Sequence, residues 1–253
     1  MMLFLRALPA ILAAWLLAAL AVAMRVPGTF WIMLALAVVV PIFGLRLLTR
    51  RATLPRKFGA LALFPALATL GGFGVLLFSE SAFFQGVISV SLTFLLWLTW
   101  EQAFRFTHQP ARYQKNALTN LAQLSAIAAF FFFTLVLFDL TLFASLTPIL
   151  LVALYAVFSA GWFFGLAYLV QADRTTATVF GLLTTLIGTE FLVLLQRLPP
   201  LPAVKAGIMV IIIGAAVQLL RRHLEPQEKP SWWPFGVLAL VLLCLVVTAR
   251  WFA

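Results

Sequence analysis

An all-α, polytopic transmembrane bundle of about nine spans is the fold class this sequence predicts, and three observations carry the prediction. Of the 253 residues, 64% are hydrophobic and 9% charged, with a mean hydropathy of +1.12. A soluble domain needs roughly a quarter of its residues charged. The apolar residues also fall in runs of the roughly 20 residues that cross a bilayer. The basic residues behind the net charge of +10 sit in short stretches between those runs, as membrane insertion requires. Residues 1–253 therefore read as one integral-membrane helical domain in a bacterial inner (plasma) membrane. Its partner classes are the lipid bilayer and other membrane proteins. No exposed basic domain is left over to bind nucleic acid.

The first run, 8–24, follows Arg6, and Ala21-Val22-Ala23 resembles a signal-peptidase site. The run is long enough to span, so an uncleaved first helix is expected. The second, 29–48, contains Pro41 and leads into the densest basic cluster, Arg46, Arg50, Arg51, Arg56 and Lys57, which should stay cytoplasmic. The third, 59–79, carries Pro65 and Gly71-Gly72-Phe73-Gly74, a group that invites a bend or a close helix contact. Glu80 marks a short outer turn.

The fourth span, 83–100, closes with Trp97 and Trp100 at interface depth, where amphipathic aromatics are favoured. A loop then holds Glu101, Arg105, His108, Arg112 and Lys115, with Glu101 and Arg105 spaced to meet on one helical face. The fifth, 118–138, presents Phe130 to Phe133 around the helix, and Asp139 is expected to end it. The run 140–171 is longer than a crossing needs. It reads either as one tilted helix, 141–170, or as a helix broken near Ser159-Ala160-Gly161.

The seventh span, 175–196, follows Asp173-Arg174 and breaks at Arg197-Leu198-Pro199-Pro200-Leu201-Pro202. The eighth, 203–220, contains Lys205, Gly207 and Gly214. The ninth, 233–251, runs from Trp232-Trp233-Pro234 to Arg250-Trp251 and holds Cys244, the single cysteine, which has no internal disulfide partner.

With nine spans and the N-terminus inside, the outer basic residues are Arg25, Arg197, Lys205 and Arg250, so thirteen of the seventeen lie on the cytoplasmic side. That is the bias the positive-inside rule demands. Splitting 140–171 into two crossings would move Arg174, Arg221, Arg222 and Lys229 outside, which argues for one crossing, with the C-terminus outside. Spans three, five and seven each carry an acid near the outer end: Glu80, Asp139 and Glu190. A decayed helix-hairpin repeat would produce this, as would the retention of basic residues inside, and the second needs no duplication.

Glu190 is the outstanding polar residue. If its helix ends near Arg197, the carboxylate lies about 10 Å inward at ~1.5 Å per residue, too deep for a short side chain to reach water easily. Leaving it charged in lipid costs several kcal/mol, so it is expected to avoid lipid. Ala177, Gly181, Thr184, Thr185 and Gly188 recur at three- and four-residue spacing on a largely different face, where they let another helix approach closely. Three readings compete for the acid. It pairs with Lys205 or Arg197 across the proline turn, it serves a proton- or cation-linked transport path, or it is protonated and donates a hydrogen bond. The candidate intramembrane polar site is accordingly Glu190, Lys205 and Arg197.

Chemistry inside a membrane still requires a nucleophile with its base, a metal cluster or paired carboxylates. His108 and His223 fall in expected cytoplasmic loops without zinc spacing, and neither a Gly-x-Ser-x-Gly elbow nor a phosphate-binding glycine loop is present. No catalytic, metal or cofactor site is expected. Beyond Glu190 the polar residues for a pathway are Gln85, Gln123 and scattered Thr and Ser.

Thr189-Glu190-Phe191, the turn Arg197-Leu198-Pro199-Pro200, the helix end Leu219-Leu220-Arg221-Arg222 and Thr248-Ala249-Arg250-Trp251 together resemble uncharacterised multi-pass membrane proteins of bacteria with small genomes. The resemblance covers roughly the last third of the chain and implies no activity. The expected role is a non-catalytic membrane subunit or scaffold of an envelope assembly. The alternative is a transporter or permease for a lipid or other largely apolar substrate, proton-linked through Glu190.

Overall fold

The computed structural model describes residues 2–49, 58–114, 117–143, 147–169, 172–198, 201–224 and Gly236. The described chain is helical throughout, without a strand: α1 (Met2–Arg25), α2 (Phe30–Thr49), α3 (Phe58–Phe78), α4 (Ala82–His108), α5 (Ala117–Phe143), α6 (Pro148–Leu169), α7 (Arg174–Gln196) and α8 (Pro202–Leu224). A backbone that closes its hydrogen bonds within the segment is what lipid demands. Seven of these helices, α1 to α7, are long and apolar enough to cross a membrane, and α8 contributes the shorter apolar stretch Pro202–Gln218. The expected ninth span, 233–251, lies outside the described residues apart from Gly236, as do Arg50, Arg51, Arg56 and Lys57 of the basic cluster and the prolines Pro199 and Pro200.

The chain divides into two compact units, Met1–Ala129 and Phe130–Ala253, with the boundary inside α5. In the first unit α1 packs on α2 and α4, and α2 and α4 both pack on α3. Glycines set how closely these helices approach. A Cβ at Gly44 would come 2.8 Å from Nε1 of Trp100 and 2.9 Å from Cδ1 of Leu12, and one at Gly72 would collide with Leu92. Gly72 of the Gly71–Gly74 group thus makes a close contact with α4, and α3 continues unbroken through Pro65. Thr69 there returns its hydroxyl to the Pro65 carbonyl at 2.7 Å, which satisfies a polar group in an apolar setting.

Trp100 is fully buried rather than an interface anchor. Its indole N–H points at the Pro41 carbonyl of α2, 3.5 Å away. A mid-helix tryptophan enclosed by protein needs an acceptor for that N–H.

Helix ends differ from the sequence expectation: α1 begins at Met2 rather than at residue 8, α8 runs to Leu224 so that Arg221, Arg222 and His223 are helical rather than in a loop, and two further differences bear on named residues. α4 does not stop at Trp100 but continues for two turns to His108, so Glu101 and Arg105 are helical. Their pair forms, with Arg105 Nε donating to Glu101 Oε1 at 2.8 Å, and i,i+4 helix pairs that keep access to solvent contribute about 0.3–0.5 kcal/mol. His108 is not a loop residue either: it stacks on Phe104, centroids 4.9 Å apart. The second difference concerns Asp139, which does not end its helix. α5 runs on to Phe143, and α6 starts at Pro148, where a proline loses nothing because the first helical N–H groups have no partner. The run 140–171 is therefore shared between two helices. α6 is continuous through Ser159-Ala160-Gly161, and its 22 residues span about 33 Å at 1.5 Å per residue.

In the second unit α6 packs on α7 and α7 on α8. Asp173 caps α7, its side chain accepting from the Thr176 N–H at 3.0 Å. Hydrogen bonding from Thr176, first through its side chain and then through its backbone, holds the Asp173 carboxyl below its usual value. A depressed folded pKa means that the cap's stabilisation is fully present above the unfolded carboxylate pKa and is lost as pH falls through the folded one. Exchange of the Thr176 amide hydrogen, corrected for its intrinsic pH dependence, should thus show protection that fades on acidification. Asp173→Ala should abolish that dependence, and an unchanged profile in the variant would refute the cap.

Candidate functional site

The two faces of α7 have opposite characters. Ala177, Gly181, Thr184, Gly188, Leu192 and Leu195 are buried, and this stripe is where α6 lies. Gly188 sits against Tyr155, and a Cβ on Gly181 would touch Phe163 at 3.4 Å. Ser159 and Thr185 face one another across the seam, Oγ to Oγ1 3.3 Å. The small-residue stripe expected from the sequence is thus the α6 contact. Small side chains are what bring two membrane helices within van der Waals reach, because lipid itself offers no hydrophobic drive for association.

The opposite face is apolar and exposed: Val179, Leu182, Leu183, Leu186, Ile187 and Leu194 are each at least about two-fifths accessible. Glu190 belongs to that face and is itself exposed. The spacing of 179, 182, 183, 186, 187, 190 and 194 follows the i, i+3, i+4, i+7 ridge along which helices meet. α7 thus carries a second packing stripe with a carboxylate in it.

The cations proposed for that carboxylate have other contacts. Arg197 is the exposed C-cap of α7, its backbone N–H bonded to the Leu194 and Leu195 carbonyls. Lys205, in the first turn of α8, is partly buried with Nζ 5.6 Å from the centroid of the Phe138 ring on α5. A ring face attracts a cation without supplying a counter-charge. Among the described residues the one ion pair is Arg105–Glu101, so neither Arg197 nor Lys205 is within ion-pair distance of Glu190.

Residues outside the expected site complete the polar inventory of this unit. The Tyr155 side chain is fully buried beside Gly188, and neither its hydroxyl nor that of buried Thr134 has a hydrogen-bond partner among the described residues. A tyrosine in mid-span rather than at the interface is the sequence signal that could have marked Tyr155. Asp139 lies one turn inside α5, half-buried. In the first unit, Gln85 is occupied structurally, its Nε2 donating to the Ser79 carbonyl at 2.7 Å across the α3–α4 turn. No protein-family model matches the chain, and no curated protein or solved structure matches it either.

Proposed function

We propose that this chain is a membrane subunit or scaffold of an envelope assembly in a bacterial inner membrane. It crosses about nine times, with its N-terminus in the cytoplasm and its C-terminus outside, as the distribution of basic residues favours. The observation that carries the role is the double character of α7: one stripe closed against α6, the other aliphatic, exposed and interrupted by Glu190. A helix meant only for lipid has no use for a carboxylate about 10 Å from its end. A helix with a second protein neighbour does.

The test is site-directed photocrosslinking in native membranes. Benzoylphenylalanine in place of Leu186 should join the chain to another membrane protein in near-stoichiometric yield, while the probe in place of the exposed Val157 on α6 should not. Purification in mild detergent as a lone chain with lipid, with no crosslinked species from position 186, would refute the subunit role.

The carboxylate of Glu190, exposed on α7, also favours a second reading, a proton-linked permease for a lipid or other largely apolar substrate, since intramembrane carboxylates mark proton paths. On that reading Glu190→Gln folds normally but abolishes proton-coupled transport in reconstituted vesicles. Unimpaired transport by the variant would eliminate it.

A further inference from the structure

Resting on the subunit reading, we infer that the exposed stripe of α7 receives a transmembrane helix of a different chain that carries a lysine or arginine at the depth of Glu190. The stripe is helix-shaped in its spacing: Leu182, Leu183, Leu186 and Ile187 form the ridge, Glu190 continues it, and Leu194 closes it toward the end of the helix.

Three occupants can be weighed by charge. Acyl chains cover the leucines well but offer no donor. The acid must then stay protonated with its O–H unpaired or stay charged, and both are unfavourable in hydrocarbon. A second copy related by a two-fold axis along the membrane normal brings a second Glu190 to the same level, and two close carboxylates cannot both ionise. The copy's Arg197 sits seven residues further on, about 10 Å away along the helix. A foreign helix with a basic side chain at the right level satisfies the carboxylate and covers the aliphatic ridge at once. Arginine is the better fit, because its planar fork donates two parallel hydrogen bonds to one carboxylate.

The test uses the full chain in phosphatidylcholine vesicles, labelled with a donor fluorophore, and acceptor-labelled transmembrane polyleucine peptides. One peptide is all leucine. The other is identical but for one arginine placed about 10 Å from the outer interface. Saturable energy transfer should favour the arginine peptide about tenfold, the scale of a polar helix–helix contact in a bilayer. Glu190→Gln should remove the preference while leaving α-helical content unchanged, and an arginine moved one and a half turns along the peptide should remove it as well.

Equal transfer to both peptides, or an arginine preference that survives Glu190→Gln, overturns the inference. So does transfer between differently labelled copies of the chain that Glu190 controls, because the occupant is then a second copy. The subunit reading is judged separately. A crosslinked native complex whose yield is unaffected by Glu190→Lys leaves that reading standing while this inference falls, and a wild-type chain with no crosslinked partner removes both.

Discussion

Gly188→Ala is expected to destabilise the α6–α7 pair by about 1–3 kcal/mol, the scale of overpacking in a filled interior. The new methyl would fall on the Tyr155 hydroxyl, with Cζ and Cε1 of the same ring at 3.1 and 3.2 Å. The ring cannot swing aside easily. It is fully buried, and Phe130 meets it edge to face with centroids 6.1 Å apart. Tyr155→Phe in the same chain should recover part of the loss, since it deletes the nearest atom and leaves the ring carbons to crowd the methyl. Alone, Tyr155→Phe should be neutral or stabilising, because the hydroxyl it removes is buried without a partner among the described residues, and an unsatisfied buried group costs about 1–3 kcal/mol. A double-mutant cycle read by unfolding in mixed micelles isolates the coupling. Additive effects would mean that the two side chains do not meet.

How far such contacts are legible follows from what each one depends on. The stripe Ala177, Gly181, Thr184, Gly188 is periodic and small by composition, so its role as a close helix contact follows from residue type and spacing alone. The same holds for the Gly72 contact with Leu92 and for the pairing of Glu101 with Arg105. Helix ends are harder to read. Hydropathy falls at Asp139 but recovers at once, so nothing local reveals that α5 continues to Phe143. The proline at 148 is the one local cue to where α6 begins. α4 outlasts its apolar segment because Glu101 to His108 are good enough helix formers, with an i,i+4 pair, to extend a helix already nucleated.

The candidate site shows a different limit. Periodicity places Glu190 on the face opposite the small stripe, yet which side chains come to meet it is decided by how neighbouring helices are rotated. α8 turns Lys205 toward Phe138, a choice that no spacing within α7 or α8 encodes. Sequence therefore identifies the residue that stands out but not its surroundings.

The second large effect is expected at Phe130, whose side chain is almost fully buried. Its ring contacts three others on α6: Tyr155, Phe158 and Trp162, the last with centroids 5.0 Å apart. Phe→Ala in a soluble core costs about 3–5 kcal/mol. In a bilayer part of that falls away, because lipid chains are as apolar as the protein interior and the transfer contribution shrinks. What persists is the lost dispersion across three ring contacts, at ~0.1–0.2 kcal/mol per atom pair, which brings the expected loss to about 2–3 kcal/mol. Val157→Ala, at a 76% exposed position on α6, should cost little and serves as the control. The location of the effect matters as much as its size. α6 is held both by the small residues of α7 and by these rings, reinforced by the stack of Phe133 on Phe158 at 3.5 Å. Loss of Phe130 should therefore speed amide exchange in α6 around residues 155–162 while the Asp173 end of α7 keeps its protection. Uniform acceleration along both helices would mean that the aromatic cluster does not act as a separate clamp.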